Sequence, residues 1–150
     1  MATGESSGPI HPVPTRRSGF RYFFYDKHHG RDTRAAQWLL ALSHDEEFAI
    51  FDAADFHELS DERGWLYGVR TGEGGQILDL GTWGQQVAEF PSARLNELWH
   101  GYPLWPLKEV GPPNRGGEKA RPAKSVFQRM EDARLLSTAQ KKRLYKGDHI

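Results

Sequence analysis

Cysteine is absent from this chain of 150 residues, and no long apolar run occurs in it. The first absence excludes disulfide scaffolds, thiol catalysis and cysteine-ligated zinc or iron–sulfur sites. The second excludes a membrane-spanning helix, which needs about 20 predominantly apolar residues. The first residues also lack the apolar stretch of a secretory leader. We therefore expect a cytoplasmic protein without membrane contact.

The composition is nevertheless that of a folded protein. Hydrophobic residues make up 37% and aromatic residues 12% of the chain, with five Trp and 16 Gly. This content argues against disorder, and the length fits one domain with one core. Residues 1–18 are rich in Gly, Ser and Pro and are predicted to form a flexible arm. Residues 19–150 are predicted to form a single α+β domain.

Residues 20–90 are predicted to form an antiparallel sheet of four or five strands. The candidate strands are Phe20–Tyr25, Phe48–Phe51, Trp65–Arg70, Gln76–Leu80 and Gln85–Phe90. The glycine-containing loop Thr71–Gly75 between two of them predicts a β-hairpin. Residues 33–42 fit both the spacing of a helical face and the alternation of a strand, and their propensities favour a helix.

The C-terminal part has clearer local patterns. Residues 91–121 form an irregular segment rich in proline and aromatic residues. An apolar stripe at helical spacing then predicts a helix from Pro122. A capping-box pattern at Ser137–Gln140 opens a second helix, and Gly147 is a natural left-handed stop. We expect this pair, residues 122–146, to pack beside the sheet, because it is too small to bury a core alone.

The net charge is zero, but the charges are segregated along the chain. Counting Lys and Arg against Asp and Glu, residues 1–43 carry +3, residues 44–98 carry −9 and residues 99–150 carry +6. The last helix concentrates Lys141, Lys142, Arg143 and Lys146 within six residues. Such a patch neutralises phosphates regardless of base sequence. The alternative is a solvated helix face whose cations pair with the acidic middle of the chain.

The segment Trp99–Leu107 combines aromatic residues with prolines. Trp99, His100, Tyr102 and Trp105 are candidate partner-binding residues, because such a surface can stack bases or hold a protein segment. The alternative is that these side chains pin a long loop across the sheet. Large aromatic side chains usually belong to the core.

The seven histidines show no metal-site spacing, so we predict neither a metal nor another cofactor. A metal-independent nuclease instead needs a base, an acid and a cation around one phosphodiester. The candidates are His28, His29, His57, His100 and Arg31. That hypothesis requires at least two of these histidines to lie within about 7 Å of each other and of an Arg or Lys in one cleft. Otherwise they are solvated turn residues.

Together these patterns favour a small non-enzymatic binding or regulatory module. It would engage a protein or nucleic-acid partner through its charged faces and the Trp99–Leu107 segment. Two alternatives stay open. One is a small toxin-like nuclease that uses the histidines. The other is a DNA-binding regulator that sets the second helix of the C-terminal pair in a groove. One sequence leaves the oligomeric state and the partner's identity open.

Overall fold

A computed structural model describes residues 11–25, 28–29, 36–94, 97–104 and 121–150. Within these residues the chain is α+β, as predicted, with six short strands and three helices. The strands are β1 (Val13–Pro14), β2 (Arg21–Tyr22), β3 (Leu66–Gly68), β4 (Ala88–Phe90), β5 (Leu98–Trp99) and β6 (Tyr102–Pro103). The helices are α1 (His44–Phe56), α2 (Lys124–Asp132) and α3 (Thr138–Lys146).

The strands form two sheets of three strands each. In the first sheet β2 lies between β1 and β5, antiparallel to β1 and parallel to β5. In the second sheet β4 lies between β3 and β6, antiparallel to both. The predicted single antiparallel sheet of four or five strands is not confirmed. The first aromatic stretch pairs with a segment far along the chain, and local patterns do not reveal such pairings.

The predicted hairpin around Thr71–Gly75 is present only at its turn. Thr71 forms an isolated antiparallel bridge with Ile77. The N–H of Gly72 donates to the carbonyl of Gln76 at 2.8 Å, and the N–H of Leu78 donates to the carbonyl of Arg70 at 2.9 Å. Beyond this turn, residues 78–80 are not a regular strand, and β3 pairs with β4 instead.

Helix α1 occupies the place of the strand predicted at Phe48–Phe51, so that prediction was wrong. Ser43 caps the helix: its hydroxyl accepts the N–H of Glu46 at 3.0 Å, and its own N–H donates to the Glu46 carboxylate at 2.8 Å. This reciprocal capping box satisfies two amides that the first turn leaves unpaired. Ile50 and Phe51 are buried on the inner face of the helix.

The ambiguous segment 33–42 is not helical in its described part, residues 36–42. Trp38 forms an isolated bridge with Gly81, and the N–H of Leu39 donates to the carbonyl of Leu80 at 2.8 Å. The prediction of a helix, which rested on propensity, is therefore wrong for these residues, because tertiary hydrogen bonds outweigh helix propensity here. Residues 33–35 lie outside the described part of the chain.

Helices α2 and α3 confirm the predicted C-terminal pair. Ser137 and Gln140 form the expected capping box, and Gly147 ends α3 at a φ of 89°, in the left-handed region. The ring of Phe127 meets the ring of Tyr145 edge-on at 5.9 Å, which joins the two helices. The pair buries four apolar side chains: Val126, Phe127, Met130 and Leu144.

The core lies between the two sheets and the helices. Its largest fully buried apolar side chains include Tyr22, Phe51, Phe90, Trp99 and Phe127. No helix among the described residues is both long and apolar enough to cross a membrane. Of the predicted arm, residues 11–18 are described and include β1. Of the irregular segment 91–121, the described part contains β5 and β6.

Candidate functional site

His28 is a buried histidine whose ring is fixed by the backbone. The backbone N–H of His28 donates to the carbonyl of Tyr25 at 3.1 Å, and the backbone carbonyl of His28 accepts the N–H of Trp38 at 3.0 Å. The ring Nδ1 lies 2.7 Å from the carbonyl oxygen of Ala36. Because a carbonyl only accepts, Nδ1 carries the proton, and Nε2 is the basic nitrogen of the neutral ring.

His100 sits in the two-residue turn between β5 and β6, where the chain passes from the first sheet to the second. Gly101 completes this turn. A Cβ at residue 101 would lie 2.1 Å from the ring of Phe90, so only glycine fits there without displacement. The turn places the ring of His100 nearly parallel to that of His28, 6.5 Å away between centroids.

Tyr102 borders this histidine pair, with its ring centroid 5.1 Å from that of His28. Its hydroxyl donates to Oε1 of the buried Glu89 on β4, and the hydroxyl of Tyr67 donates to Oε2 at 3.0 Å. Burial, together with the adjacent Glu89, raises the pKa of both tyrosines well above the ordinary range. Both hydroxyls therefore remain protonated donors, which compensates the burial of the carboxylate.

A second buried carboxylate, Glu47 of α1, lies beside another pair of histidines. Its Oε2 accepts the hydroxyl of Tyr22 at 2.5 Å, and its Oε1 lies 2.9 Å from Nε2 of His29. Burial and Glu47 raise the pKa of Tyr22 well above its ordinary value. The ring of His44 lies 5.0 Å from that of His29 and stacks on Phe24 at 4.3 Å.

The candidate nuclease residues are therefore divided between different places. His28 and His100 form one pair, whereas His29 pairs with His44. His57 is the C-terminal cap of α1, and its ring contacts that of Phe56 at 4.9 Å. Arg31 lies outside the described residues. Within the described ranges, no group of three or more His, Asp and Glu side chains is placed to hold a metal ion.

The C-terminal residues 121–150 carry eight Lys and Arg against three Asp and Glu, a net charge of +5. Two of the predicted basic residues pair locally: Lys141 with Glu131 at 2.5 Å, and Arg143 with Asp148 at 3.7 Å. Lys142 and Lys146 are exposed one turn apart on α3. Neither forms an ion pair with any residue that the structure describes.

The acidic middle of the chain does not neutralise this basic end. Among the described residues, no Lys or Arg of 121–150 pairs with a carboxylate of 44–98. Four carboxylates of that stretch pair with arginines nearer the N-terminus or within the stretch, whereas Glu47 lies beside His29 and Asp79 beside His149 of the C-terminal end. The four arginine pairs are Arg16–Asp52, Arg17–Asp55, Arg63–Asp61 and Arg70–Glu46. The basic helix pair thus keeps an outward cationic face, which we call the α3 face: Lys142, Arg143 and Lys146.

The aromatic candidates have different surroundings. Trp99 is 1% exposed, and its ring packs 5.3 Å from that of Phe51, so it is not available for stacking a base in this conformation. His100 and Tyr102 are half-buried. Trp105 lies outside the described residues.

Sequence reasoning missed five side chains of these clusters: Tyr22, His44, Glu47, Tyr67 and Glu89. Two of them had a detectable pattern. Glu89 interrupts an apolar strand, and Glu47 stands beside the apolar run that α1 buries. A carboxylate at a buried position needs hydrogen-bond donors, so each glutamate predicts polar partners, although not which ones.

Comparison with known proteins adds no relationship. The chain matches no family model, no curated protein and no solved structure.

Proposed function

We propose that the chain is a small non-enzymatic binding module whose C-terminal helix pair engages the phosphate backbone of a nucleic acid. The observation that carries this proposal is the α3 face, with Lys142 and Lys146 exposed on a helix pair of net charge +5. Exposed cations at one turn's spacing attract a polyanion through release of its counterions. Trp99 is not part of the proposed surface, because it is buried.

The two lysines contribute more to this surface than their neighbours. Lys141 and Arg143 are already compensated by Glu131 and Asp148. Each lysine that meets a phosphate adds about 0.9 to the magnitude of the slope of log affinity against log salt. Replacing both lysines with alanine is therefore expected to lower the magnitude of that slope by about 2, whereas reversing their charge is expected to abolish binding.

The test is fluorescence anisotropy with a mixed-sequence DNA duplex and a single-stranded RNA, each titrated at several salt concentrations. We expect salt-dependent binding that K142E/K146E abolishes and that R21E/R94E, with the same change of charge at exposed positions elsewhere, preserves. Salt-independent binding, or equal loss in both variants, contradicts the proposal. Binding to polyglutamate without binding to nucleic acid identifies an acidic protein as the partner and also contradicts it. Marked preference for the duplex favours the DNA-regulator alternative.

A second candidate function, metal-independent cleavage of RNA, is favoured by the His28–His100 pair. In this reaction Nε2 of His28 takes the proton of a ribose 2′-hydroxyl, whose oxygen attacks the adjacent phosphorus. The bond from phosphorus to the 5′ oxygen breaks, and His100 donates a proton to that oxygen. The products are a 2′,3′-cyclic phosphate and a free 5′-hydroxyl. The distance of 6.5 Å between the two ring centroids is comparable to the size of one phosphodiester group, so both rings could contact the same group.

The test is cleavage of a fluorogenic oligoribonucleotide in the presence of a chelator. H28N and H100N are each expected to lower the rate by about 10²–10⁴-fold. H57N is the control, because His57 caps α1 and belongs to neither pair. Thermal melts of all three variants separate lost chemistry from lost folding. No cleavage by the wild type, or cleavage that folded H28N and H100N retain, contradicts this candidate.

A further inference from the structure

The turn between β1 and β2 places two successive arginines, Arg16 and Arg17, in contact with helix α1. Nε and Nη2 of Arg16 donate to the two carboxylate oxygens of Asp52 at 2.9 and 2.8 Å. Nε and Nη2 of Arg17 lie 2.8 and 2.7 Å from a single oxygen, Oδ1 of Asp55. Arg16 thus binds both carboxylate oxygens of Asp52, whereas Arg17 binds only one carboxylate oxygen of Asp55.

Aromatic rings complete the surface under both guanidinium groups. The guanidinium carbon of Arg16 lies 4.9 Å from the ring centroid of Phe56, and that of Arg17 lies 5.5 Å from that of Trp99. Asp52, Asp55 and Phe56 share one side of α1, because three- and four-residue spacings recur on one helical face. We call these three residues together with Trp99 the arginine-binding face.

The chemistry of this face selects arginine over lysine. A planar guanidinium forks onto a carboxylate and stacks on an aromatic ring at the same time, whereas an ammonium is a compact point charge. The face also has more hydrogen-bonding capacity than the chain's own arginines use. Oδ2 of Asp55, an acceptor, is buried and has no hydrogen-bond partner among the described residues.

The two arginines are held in a way that permits exchange. Arg16 and Asp52 are 41% and 34% exposed, and such an exposed ion pair is weak and screened by salt. Arg17 is 44% exposed but Asp55 only 4%, so the buried Asp55 carboxylate stays paired only if an incoming guanidinium replaces that of Arg17. The adjoining strand β1 is only two residues long. Segments with few buried contacts open locally at low free energy while the rest of the fold stays intact.

We propose that the arginine-binding face is a docking site for an arginine-containing peptide of a partner protein, and that Arg16 and Arg17 occupy it as an internal competitor. Displacing them uncovers Asp52 and Asp55 for the incoming guanidinium groups and removes the cover from Trp99. This site lies on α1 and does not rest on the function proposed for the α3 face. Arg16 and Arg17 therefore lower the apparent affinity for the partner by the fraction of time that they occupy the site.

The experiment compares binding of fluorescein-labelled hexa-arginine and hexa-lysine peptides to the full chain. Removing the competitor in R16A/R17A is expected to tighten hexa-arginine binding by about tenfold and to change hexa-lysine binding much less. Adding D52N/D55N to that variant is expected to remove the gain. R21A/R94A, which takes the same charge from other exposed positions, controls for net charge.

Equal gains in R16A/R17A and R21A/R94A, or equal gains for both peptides, overturn the proposal. A second measurement on the wild type covers the case in which the variant does not fold. Saturating hexa-arginine is expected to speed hydrogen exchange at the Thr15 and Phe20 amides, which are bonded within the turn. Binding of hexa-arginine that leaves both amides as protected as before overturns the proposal as well.

Discussion

The imidazole ring of His28 lies nearly parallel to that of His100, with 13° between the ring planes. The two residues meet because β5 pairs in parallel with β2, and the next turn then carries the chain into the second sheet. His28 is fixed by the carbonyl of Ala36, and His100 is held by the turn that Gly101 closes. The pair is thus a product of tertiary structure and depends on the contact between that turn and β4.

Gly101→Ala tests the packing contact between this turn and Phe90 of β4. The added methyl would overlap the ring of Phe90, which is fully buried and has no room to retreat. We expect a loss of about 1–3 kcal/mol in the free energy of unfolding, the range typical of overpacking in a core. Urea unfolding followed by tryptophan fluorescence measures it. Gly74→Ala in the exposed loop is the control, and equal stability of the two variants would contradict the packing argument.

Local patterns predicted the C-terminal helices because their start and stop residues act over a few positions. Ser137–Gln140 and Gly147 are read directly from the sequence, and the structure places them as caps. The same four-residue pattern, Ser43–Glu46, was present before α1, but the four apolar residues Phe48–Phe51 fit a strand equally well. The strand prediction for Phe48–Phe51 rests on the apolar run alone, whereas the capping box before it marks the start of a helix.

The candidate sites were less predictable, because their contacts are long-range. The sequence makes both His28 and His100 candidates, but no local pattern shows that they meet while His57 lies apart. The parallel pairing of β2 with β5 brings them together, and such pairings leave no short-range pattern. The acceptors Glu47 and Glu89 were missed because surface carboxylates are far more common than buried ones.

Ser137→Ala tests the cap of α3. The substitution removes the acceptor for the N–H of Gln140, which the serine hydroxyl meets at 3.1 Å. We expect the free energy of unfolding to fall by about 1 kcal/mol, as for other N-cap substitutions. Thermal and urea unfolding by circular dichroism measure the change. Ser125→Ala, on the exposed side of α2, should leave stability unchanged or slightly raise it. A loss of the same size there would show that the cap is not the cause.

Glu46 predicts a pH dependence of stability. The N–H of Ser43 donates to its carboxylate and Arg70 pairs with it, so the pKa of Glu46 is below its ordinary value in the folded state. A lowered folded-state pKa adds stability that is complete above the unfolded-state pKa and is lost as the pH falls through the folded value. Glu46→Gln keeps the capping geometry and removes this charge.

The measurement is the difference in unfolding free energy between the wild type and E46Q at about pH 7 and about pH 3. The wild type is expected to be the more stable protein at the higher pH, with the difference shrinking at the lower pH. A difference that stays constant between the two values would assign the effect of E46Q to the cap rather than to the charge.

Tyr22→Phe tests the compensation of the buried Glu47. The substitution deletes the hydroxyl that donates to Oε2 of Glu47 and so removes one hydrogen-bond donor from the buried carboxylate. Leaving a buried acceptor unsatisfied costs about 1–3 kcal/mol, and we expect a loss of that size in urea unfolding. Tyr25→Phe removes the same atom from an exposed side chain and should have little effect. Similar losses in both variants would show that the buried carboxylate does not require this donor.

The position of the ring proton on His28 decides which of its nitrogens is a base. The Ala36 carbonyl accepts from Nδ1, whereas in His149 it is Nε2 that lies 2.7 Å from a carboxylate oxygen of Asp79. Both oxygens only accept, so the neutral rings are expected to hold their protons on opposite nitrogens. Long-range ¹H–¹⁵N spectra above the imidazole titration range distinguish the two forms. Proton placement on Nε2 of His28 would remove the base from the proposed cleavage, because Nδ1 faces Ala36 and not the ring of His100.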